Sequence, residues 1–477
     1  MFDFVTKEVE VETTFIKALP GFSIVGLASS AVQESKERIK AALLNNDFEF
    51  PPLKIIVNLS PANLPKNSTV LDLPIALGIL LQNRDIDLSE YLILGELGLD
   101  GSIKETPDIF SIVLGSRYKK IITAKSIAKK LALIPEIEVY GFENISEFFD
   151  LKLKPVKPTK LKYKHIEVNN KKYYYLDKFE VDFKDVKGQN TAKRVALISA
   201  AGMHNILLEG SPGVGKSMII NRIRYILPPM SLEEILETQK INALEGREID
   251  FKPLRAFRMP HHSSSKAAIF GGGNRGTKIG EISLANNGIL FFDELPYFNK
   301  DVLENLRLPL QEGKILISRV NNKIEYNVNI LFASAMNPCP CGNLLSKKEC
   351  RCTELEIKRY KNRISEPLID RIDLYFQMSE DSDTSTISSK EMYQKVLIAF
   401  EKQIKRGYFN AKLPEGYEFQ IEKDAREILD KAIINFNLSK RSEFKILKVA
   451  QTIADLENYD KINKKAILEA LNYRKRT

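Results

Sequence analysis

The chain has 477 residues, 44% of them hydrophobic and 28% charged, and a formal net charge of +9. These fractions lie near the soluble globular average of roughly 45–50% apolar and about 25% charged, which excludes a disordered or fibrous class. At ~100–150 residues per domain the length predicts three domains. No apolar run of ~18 residues is present to cross a membrane, and the start MFDFVTKEVEVETTF carries acids where a secretory leader needs a basic region. The cytoplasm is the expected location, with no membrane partner. The positive balance suits a polyanion, although composition alone does not select one.

Residues 1–151 mix short β-rich runs with helical ones. KIIVNLS and YLILGELGLDG are predicted strands, and SAVQESKERIKAALL has the period of an amphipathic helix. Residues 152–182 carry many Lys and Tyr and two prolines, as in a basic linker. That linker is either a solvated tether or a basic and aromatic arm that follows a phosphate backbone and stacks bases. Residues 183–379 form a second α/β region, whose strand candidates NILLEG, GILFFDE and NILFASAMN alternate with helices, a pattern that predicts a parallel sheet covered on both faces. After SEDSDTSTISS the chain is helical through 380–477, as a lid, and no tandem repeat is present.

GSPGVGKS, from Gly210 through Ser211, Pro212, Gly213, Val214, Gly215 and Lys216 to Ser217, fits G-x-x-x-x-G-K-[ST]. It lies between an apolar strand and a helix, as the motif requires. Glycines let successive N–H groups face phosphate oxygens, and the helix N-terminus adds its positive end. Lys216 is placed to reach the β and γ phosphates of ATP, and Ser217 to ligate Mg²⁺. GILFFDEL then ends a strand in Asp293, near the metal, and Glu294, where it can orient and deprotonate a water. A third strand ends in Asn337, an amide suited to holding that water. Three strand ends thus converge on one crevice, where open α/β sheets bind ligands. Arg363 and Arg371 flank a proline in YKNRISEPLIDRIDLYF, and either is a candidate for stabilising the transferring phosphoryl group from a neighbouring subunit. Ser439 is a plausible N-cap that puts Arg441 in the first turn of a later helix, within reach of phosphates.

With these residues aligned, the chain resembles the ComM family of magnesium-chelatase-like AAA+ ATPases, bacterial DNA helicases of branch migration in natural transformation. The resemblance runs end to end. It is carried by LPGFSIVGLASSAVQESKERIKAAL, PPLKIIVNLSPANLPK, LDLPIALGIL, GELGLDGSI, DVKGQNTAKRVALISAAGMHNILLEGSPGVGKS, FRMPHHSSSKAAIFGGG, GEISLANNGILFFDELPYF, MNPCPCGN, RISEPLIDRIDL and KILKVAQTIADLE. It implies an α/β N-terminal domain of the Lon-protease C-terminal fold (ribosomal protein S5 domain 2-like), an AAA+ α/β core and a helical lid. It also implies a homo-oligomeric ring, a hexamer, that moves along single-stranded and branched DNA, with recombination proteins as candidate partners. By resemblance Gly210 to Ser217 are Walker A, Asp293 and Glu294 Walker B, Asn337 sensor 1, Arg371 the arginine finger and Arg441 sensor 2. Lys445 and Gln451 stand where the family often has arginine, and lysine cannot make the bidentate fork to phosphate. Active Lon domains pair a Ser with a Lys. Here Ser68 falls near the serine position, but Ser111 or Ile112 stands where the lysine would be, so no proteolysis is expected. NLPKNSTVLDLPIAL also departs from the Lys-Glu-Gly-type turn common in the family before Asp-Leu-Pro.

All four cysteines fall in one stretch, Cys339, Cys341, Cys350 and Cys352, rather than scattered as in a secreted disulfide framework. As C-x-C, eight residues, C-x-C, they can converge on a tetrahedral Zn²⁺, and buried reduced thiols or a redox-sensitive pair are the alternative. A metal there would brace the loop that carries Asn337, two residues before Cys339. His261 and His262 have no third ligand at a recognisable spacing. The segment after them looks like the insertion this clade places in the second helix of the ATPase core, and Lys266, Arg275 and Lys278 give it charge. EGKILISRVNNKIEYNVNI reads as a hairpin with Lys314, Arg319 and Lys323 near its tip. Both are candidate DNA-facing pore loops. The readings that compete with a DNA-translocating ATPase are a subunit of a metal-insertion machine such as magnesium chelatase and a nucleotide-regulated remodelling scaffold.

Overall fold

Exposure alternates along EVETTFI, which makes Glu10–Ile16 a strand with one wet face. In the computed structural model, which describes residues 7–82, 84, 86–149, 153–272, 279–318, 323–379 and 386–474, it pairs antiparallel with Lys54–Ser60. Gly21–Val25 pairs parallel with the other edge of that strand. The chain divides into two units, one gathering Phe2–Lys162 with Gln239–Phe251, the other Tyr163–Thr238 with Lys252–Thr477.

In the first unit the helices Ser30–Leu44 and Asp72–Leu80 are joined through a fully buried carboxylate. Asp72 accepts from Ser35 Oγ, from Arg38 Nε at 3.0 Å and from the Leu97 N–H at 3.4 Å. Burial raises the Asp72 pKa, and the bonds from Arg38 and Ser35 work against that. The run YLILGELGLDG is not one strand. Tyr91–Ile93 lies parallel to Lys120–Ala124 while Glu96–Leu97 turns to pair with Ile103–Lys104. The break falls at Gly95, where a Cβ would lie 2.9 Å from Ile103 Cγ2, so the chain changes sheets at the one residue able to approach that closely. Ser68 Oγ donates to Asp108 Oδ2 at 3.0 Å, and Ser111 Oγ donates to the Lys240 carbonyl at 3.4 Å. Phe110 meets Phe251 edge-on at 5.7 Å.

The second unit opens with a hairpin inside the Lys- and Tyr-rich segment. Lys164–Val168 pairs with Lys171–Tyr175 across Asn169 and Asn170, both at positive φ, the turn chemistry that asparagine tolerates. Tyr173 packs edge-on against Phe400 at 5.1 Å and Tyr175 lies 5.5 Å from Tyr393, so these rings are used on a lid helix rather than held out to stack bases. Five parallel strands follow in the order Phe257–Arg258, Gly288–Phe292, Ile330–Met336, Ile206–Gly210, Leu374–Met378. The three middle strands are buried at every residue, as expected of a sheet covered on both faces. One core runs from this sheet through the helix Asn190–Gly202 into the lid helices Ser389–Arg406, Lys423–Asn435, Lys440–Leu456 and Lys464–Asn472. Arg194 ties the lid to the core by ion pairs to Glu457 at 2.7 Å and Glu469 at 2.8 Å.

Candidate nucleotide site

Strand order decides which side chains meet. Ile330–Met336 lies between the strand that feeds GSPGVGKS and the strand that ends in Asp293, and its register sets Met336 opposite Glu209. Asn337 therefore emerges beside Gly210. Gly213 and Gly215 have φ of +86° and +95°, and a Cβ on either would meet nothing within 4 Å, so the loop opens onto free space that an anion can fill. Lys216 is buried, and its ammonium donates to the carbonyls of Gly210 at 2.6 Å and Ser211 at 3.0 Å and to Asn337 Oδ1 at 3.2 Å. Burial lowers its pKa, opposed by the negative charges of Asp293, Glu209 and Glu294. The Ser211 hydroxyl is buried without a hydrogen-bond partner among the described residues.

Ser217 Oγ donates to Asp293 Oδ2 at 2.9 Å, which brings together a hydroxyl and a carboxylate, the oxygen ligand types that suit a hard cation. Glu294 sits at φ +54° and its N–H donates to Asp293 Oδ1 at 3.0 Å. This left-handed turn after the strand leaves the Glu294 side chain exposed at the crevice rather than packed under it. Lys216, Ser217, Asp293, Glu294 and Asn337 thus lie around one crevice.

Sequence reasoning missed four residues here. Glu209, on the strand that leads into the loop, is buried, ion-paired to Lys361 at 2.9 Å and hydrogen-bonded by Tyr375 Oη. An acid inside the otherwise apolar run NILLEG was the available signal. Tyr360 comes from the helix Glu354–Lys361. Its pKa is raised, by burial first and then by Tyr297, Glu294 and Glu209, and its hydroxyl finds no well-formed hydrogen bond among the described residues.

The arginines separate. Arg363 lies over the Tyr297 ring at 5.8 Å and donates to the Pro296 carbonyl at 3.5 Å, three residues or fewer from Glu294. The Arg371 carbonyl instead accepts from Asn205 Nδ2 at 2.8 Å, and Asn205 immediately precedes the strand Ile206–Gly210. The backbone of Arg371 is therefore at the far end of that strand from the phosphate loop, ~16 Å away at about 3.3 Å per residue. Its side chain donates to the Pro367 carbonyl at 2.6 Å and to Gln311. Burial and the charges of Arg441 and Arg307 lower its pKa. Arg441 is exposed in the first turn of a helix capped by Ser439, whose hydroxyl accepts from the Ser442 N–H at 3.2 Å. Lys445 lies in the same field, its pKa lowered by burial and by Arg441 and Arg371.

The DNA candidates divide as well. Arg275, Lys278 and Arg319 lie outside the described residues. The hairpin exists, but Lys314 pairs with Asn327 at its base and not near its tip, because the register runs from there to Ser318 opposite Lys323. Lys266, Lys314 and Arg371 line one groove of about 870 Å³ together with Arg307 and Gln311. The His261 and His262 rings lie 4.1 Å apart and tilted by 35°, and His261 Nδ1 is hydrogen-bonded with Ser263 Oγ at 2.7 Å.

The four sulfurs do converge. Cys339 Sγ is 3.4 Å from Cys341 and 3.6 Å from Cys350, Cys341 and Cys350 are 3.6 Å apart, and all four lie within 4.8 Å of one another. The N–H groups of Asn343 and Arg351 draw the Cys341 pKa down to about 6.

A P-loop strand flanked by an amide strand, with the acid strand beyond it and a helical lid behind, is the build of a magnesium-chelatase-like AAA+ ATPase, for which ATP and Mg²⁺ are the implied cofactors. The match extends through the chain: residues 182–386 fit the model of magnesium chelatase subunit ChlI, 9–126 that of subunit ChlI of Mg-chelatase, and 386–474 the ChlI C-terminal region. The competence protein ComM of Haemophilus influenzae is 37% identical over 98% of this chain and 94% of its own length. YifB of Escherichia coli is 37% identical with the same coverage, and Rv2897c of Mycobacterium tuberculosis 30% identical over 98% of this chain and 95% of its own. The chain belongs to the ComM/YifB family. Among the described residues no helix is long and apolar enough to cross a membrane.

Proposed function

We propose that this protein is a cytoplasmic, ATP-driven ring motor that translocates along DNA and promotes branch migration of recombination intermediates as incoming single-stranded DNA is integrated. In this reading Lys216 and the loop amides bind the phosphates, and Ser217 and Asp293 hold Mg²⁺. Glu294 takes the proton of a water positioned by Asn337. Bound Mg²⁺ supplies charge neutralisation on the β and γ oxygens. The N-terminal unit is a non-proteolytic Lon-type domain, in keeping with a Ser68 hydroxyl bonded to a carboxylate rather than an amine.

The observation that carries the ring is the position of Arg371. Anchored by Asn205 at the far end of the phosphate-loop strand, with Arg441 beside it, it is out of reach of its own loop and suited to the loop of a neighbour. In this reading neighbouring chains share a site at each interface of a homo-oligomeric ring, which the family resemblance makes a hexamer. The DNA half of the proposal rests on the net charge of +9 and on the competence role in the name of the Haemophilus relative. Single-stranded and branched DNA are the expected substrates, and recombination proteins the expected partners.

The family models that match are those of magnesium chelatase subunits, which favours a second reading as the ATPase of a metal-insertion complex. ATPase turnover measured with and without single-stranded DNA separates the two. Stimulation by DNA supports the motor, and turnover indifferent to DNA overturns it.

A further inference from the structure

The cysteine loop is built into the walls of the nucleotide crevice. It starts two residues after Asn337. At its turn Gly342, at φ +80°, lies against the phosphate loop so closely that a Cβ would come within 2.6 Å of Pro212 Cδ. It ends at Cys352, next to Thr353, which caps the helix Glu354–Lys361 through a reciprocal pair of bonds with Glu356. That helix delivers Tyr360 beside Glu294 and Lys361 onto Glu209.

The thiols have the arrangement of a metal site. A tetrahedron with Zn–S bonds of ~2.3 Å has S···S edges of ~3.8 Å, against the observed 3.4, 3.6 and 3.6 Å. No two sulfurs are singled out as a pair. A main-chain donor lies among them, the Cys341 N–H reaching Cys352 Sγ at 3.4 Å. Such donors stabilise thiolates around a metal. Lys347, Lys348 and Arg351 outnumber Glu349 in the same loop by two positive charges, which matches the two negative charges left when four thiolates bind a divalent ion.

We infer that Cys339, Cys341, Cys350 and Cys352 hold a structural Zn²⁺, and that the closed loop is a clamp fixing Asn337, Pro212 and the Tyr360–Lys361 helix in one geometry. Each thiol that is protonated before binding gives its proton to solvent as its Zn–S bond forms. With all four positions filled by sulfur the metal has no open site for water, so its role is positional. The clamp's effect on hydrolysis rests on the ATPase reading, whereas the metal site does not.

The first readout is metal content of the purified full chain, independent of activity. About one zinc per chain is expected, and cobalt replacing it should give the strong visible absorption of a tetrahedral thiolate site. Chains that carry no zinc and give no such spectrum on cobalt addition overturn the site, as does iron in zinc's place. Cys350→Ser with Cys352→Ser should lose the metal, and retained stoichiometry would also overturn it. For the clamp, zinc removal by chelator should lower kcat about tenfold or more, the usual scale for support around a site. Affinity for an ATP analogue should change by less than about threefold, and re-added zinc should restore turnover. Gly342→Ala keeps all four thiols but presses on Pro212, so it should lower kcat with zinc still bound. Unchanged kcat in both the chelated protein and Gly342→Ala would overturn the clamp. Glu294→Gln should keep full zinc content, which separates failure of the metal site from failure of the ATPase reading.

Discussion

Replacing Arg371 with alanine tests the division of the site between subunits. The Arg371 backbone is held by Asn205, just before the strand Ile206–Gly210, so five residues of extended chain separate it from its own phosphate loop. That is ~16 Å, whereas an arginine side chain spans ~7 Å. The substitution should therefore leave each chain's own MgATP affinity within about twofold. Turnover should fall by at least ~10³, the lower end for losing an arginine that stabilises a transferring phosphoryl group, or about 4 kcal/mol of barrier. The decisive assay mixes Arg371→Ala with Lys216→Ala. Each parent is dead for a different reason, and a mixed ring has interfaces where an intact loop faces an intact arginine, so part of the ATPase activity should return. Mixed rings that stay dead while both parents assemble would refute the assignment and move it to Arg363, which lies beside Glu294 over Tyr297.

Glu294→Gln should bind ATP and lose at least ~10²-fold in hydrolysis, as for loss of a general base, and near-normal turnover in a rapid-quench assay would place the base elsewhere. Burial holds the Lys216 pKa below its usual value, and phosphate charge should raise it on binding. Binding then takes up a proton at alkaline pH, so affinity should fall as pH rises towards the ordinary lysine value of about 10. Calorimetry in buffers of different ionisation enthalpy reads this directly, and pH-independent affinity without proton uptake would contradict it. Asp72→Ala leaves Ser35 and Arg38 without their shared acceptor and should destabilise the N-terminal unit by about 3 kcal/mol, the low end for a broken buried pair because Arg38 is partly exposed. A denaturant midpoint unchanged by the substitution would show that the carboxylate is dispensable.

What the sequence made legible is what is local. Gly210 to Ser217, Asp293, Glu294 and Asn337 each end an apolar strand, and the parallel sheet brings strand ends to one edge without further information. The cysteines were legible for the same reason, being confined to a single loop. Glu209 with Lys361 and Tyr375 was not, because its partners are 152 and 166 residues away and nothing in either segment names the other. Lys314 was misplaced because a hairpin's register is set by pairing, which puts it opposite Asn327 at the base. The Lys- and Tyr-rich segment looked like a linker by composition, yet Asn169–Asn170 between two short runs was a turn signal, and the packing of half-buried Tyr173 and Tyr175 against the lid could not be read from charge.

In the proposed function, ATP hydrolysis at this crevice moves a DNA branch point. A labelled three-strand junction incubated with the protein and MgATP, and resolved by strand length over time, measures that movement itself. The wild-type chain should convert the junction to exchanged strands in an ATP-dependent way and Glu294→Gln should not, although that variant still binds both ATP and junction. Wild-type protein with robust ATPase activity that leaves the junction unmoved, or Glu294→Gln that moves it equally well, would contradict it.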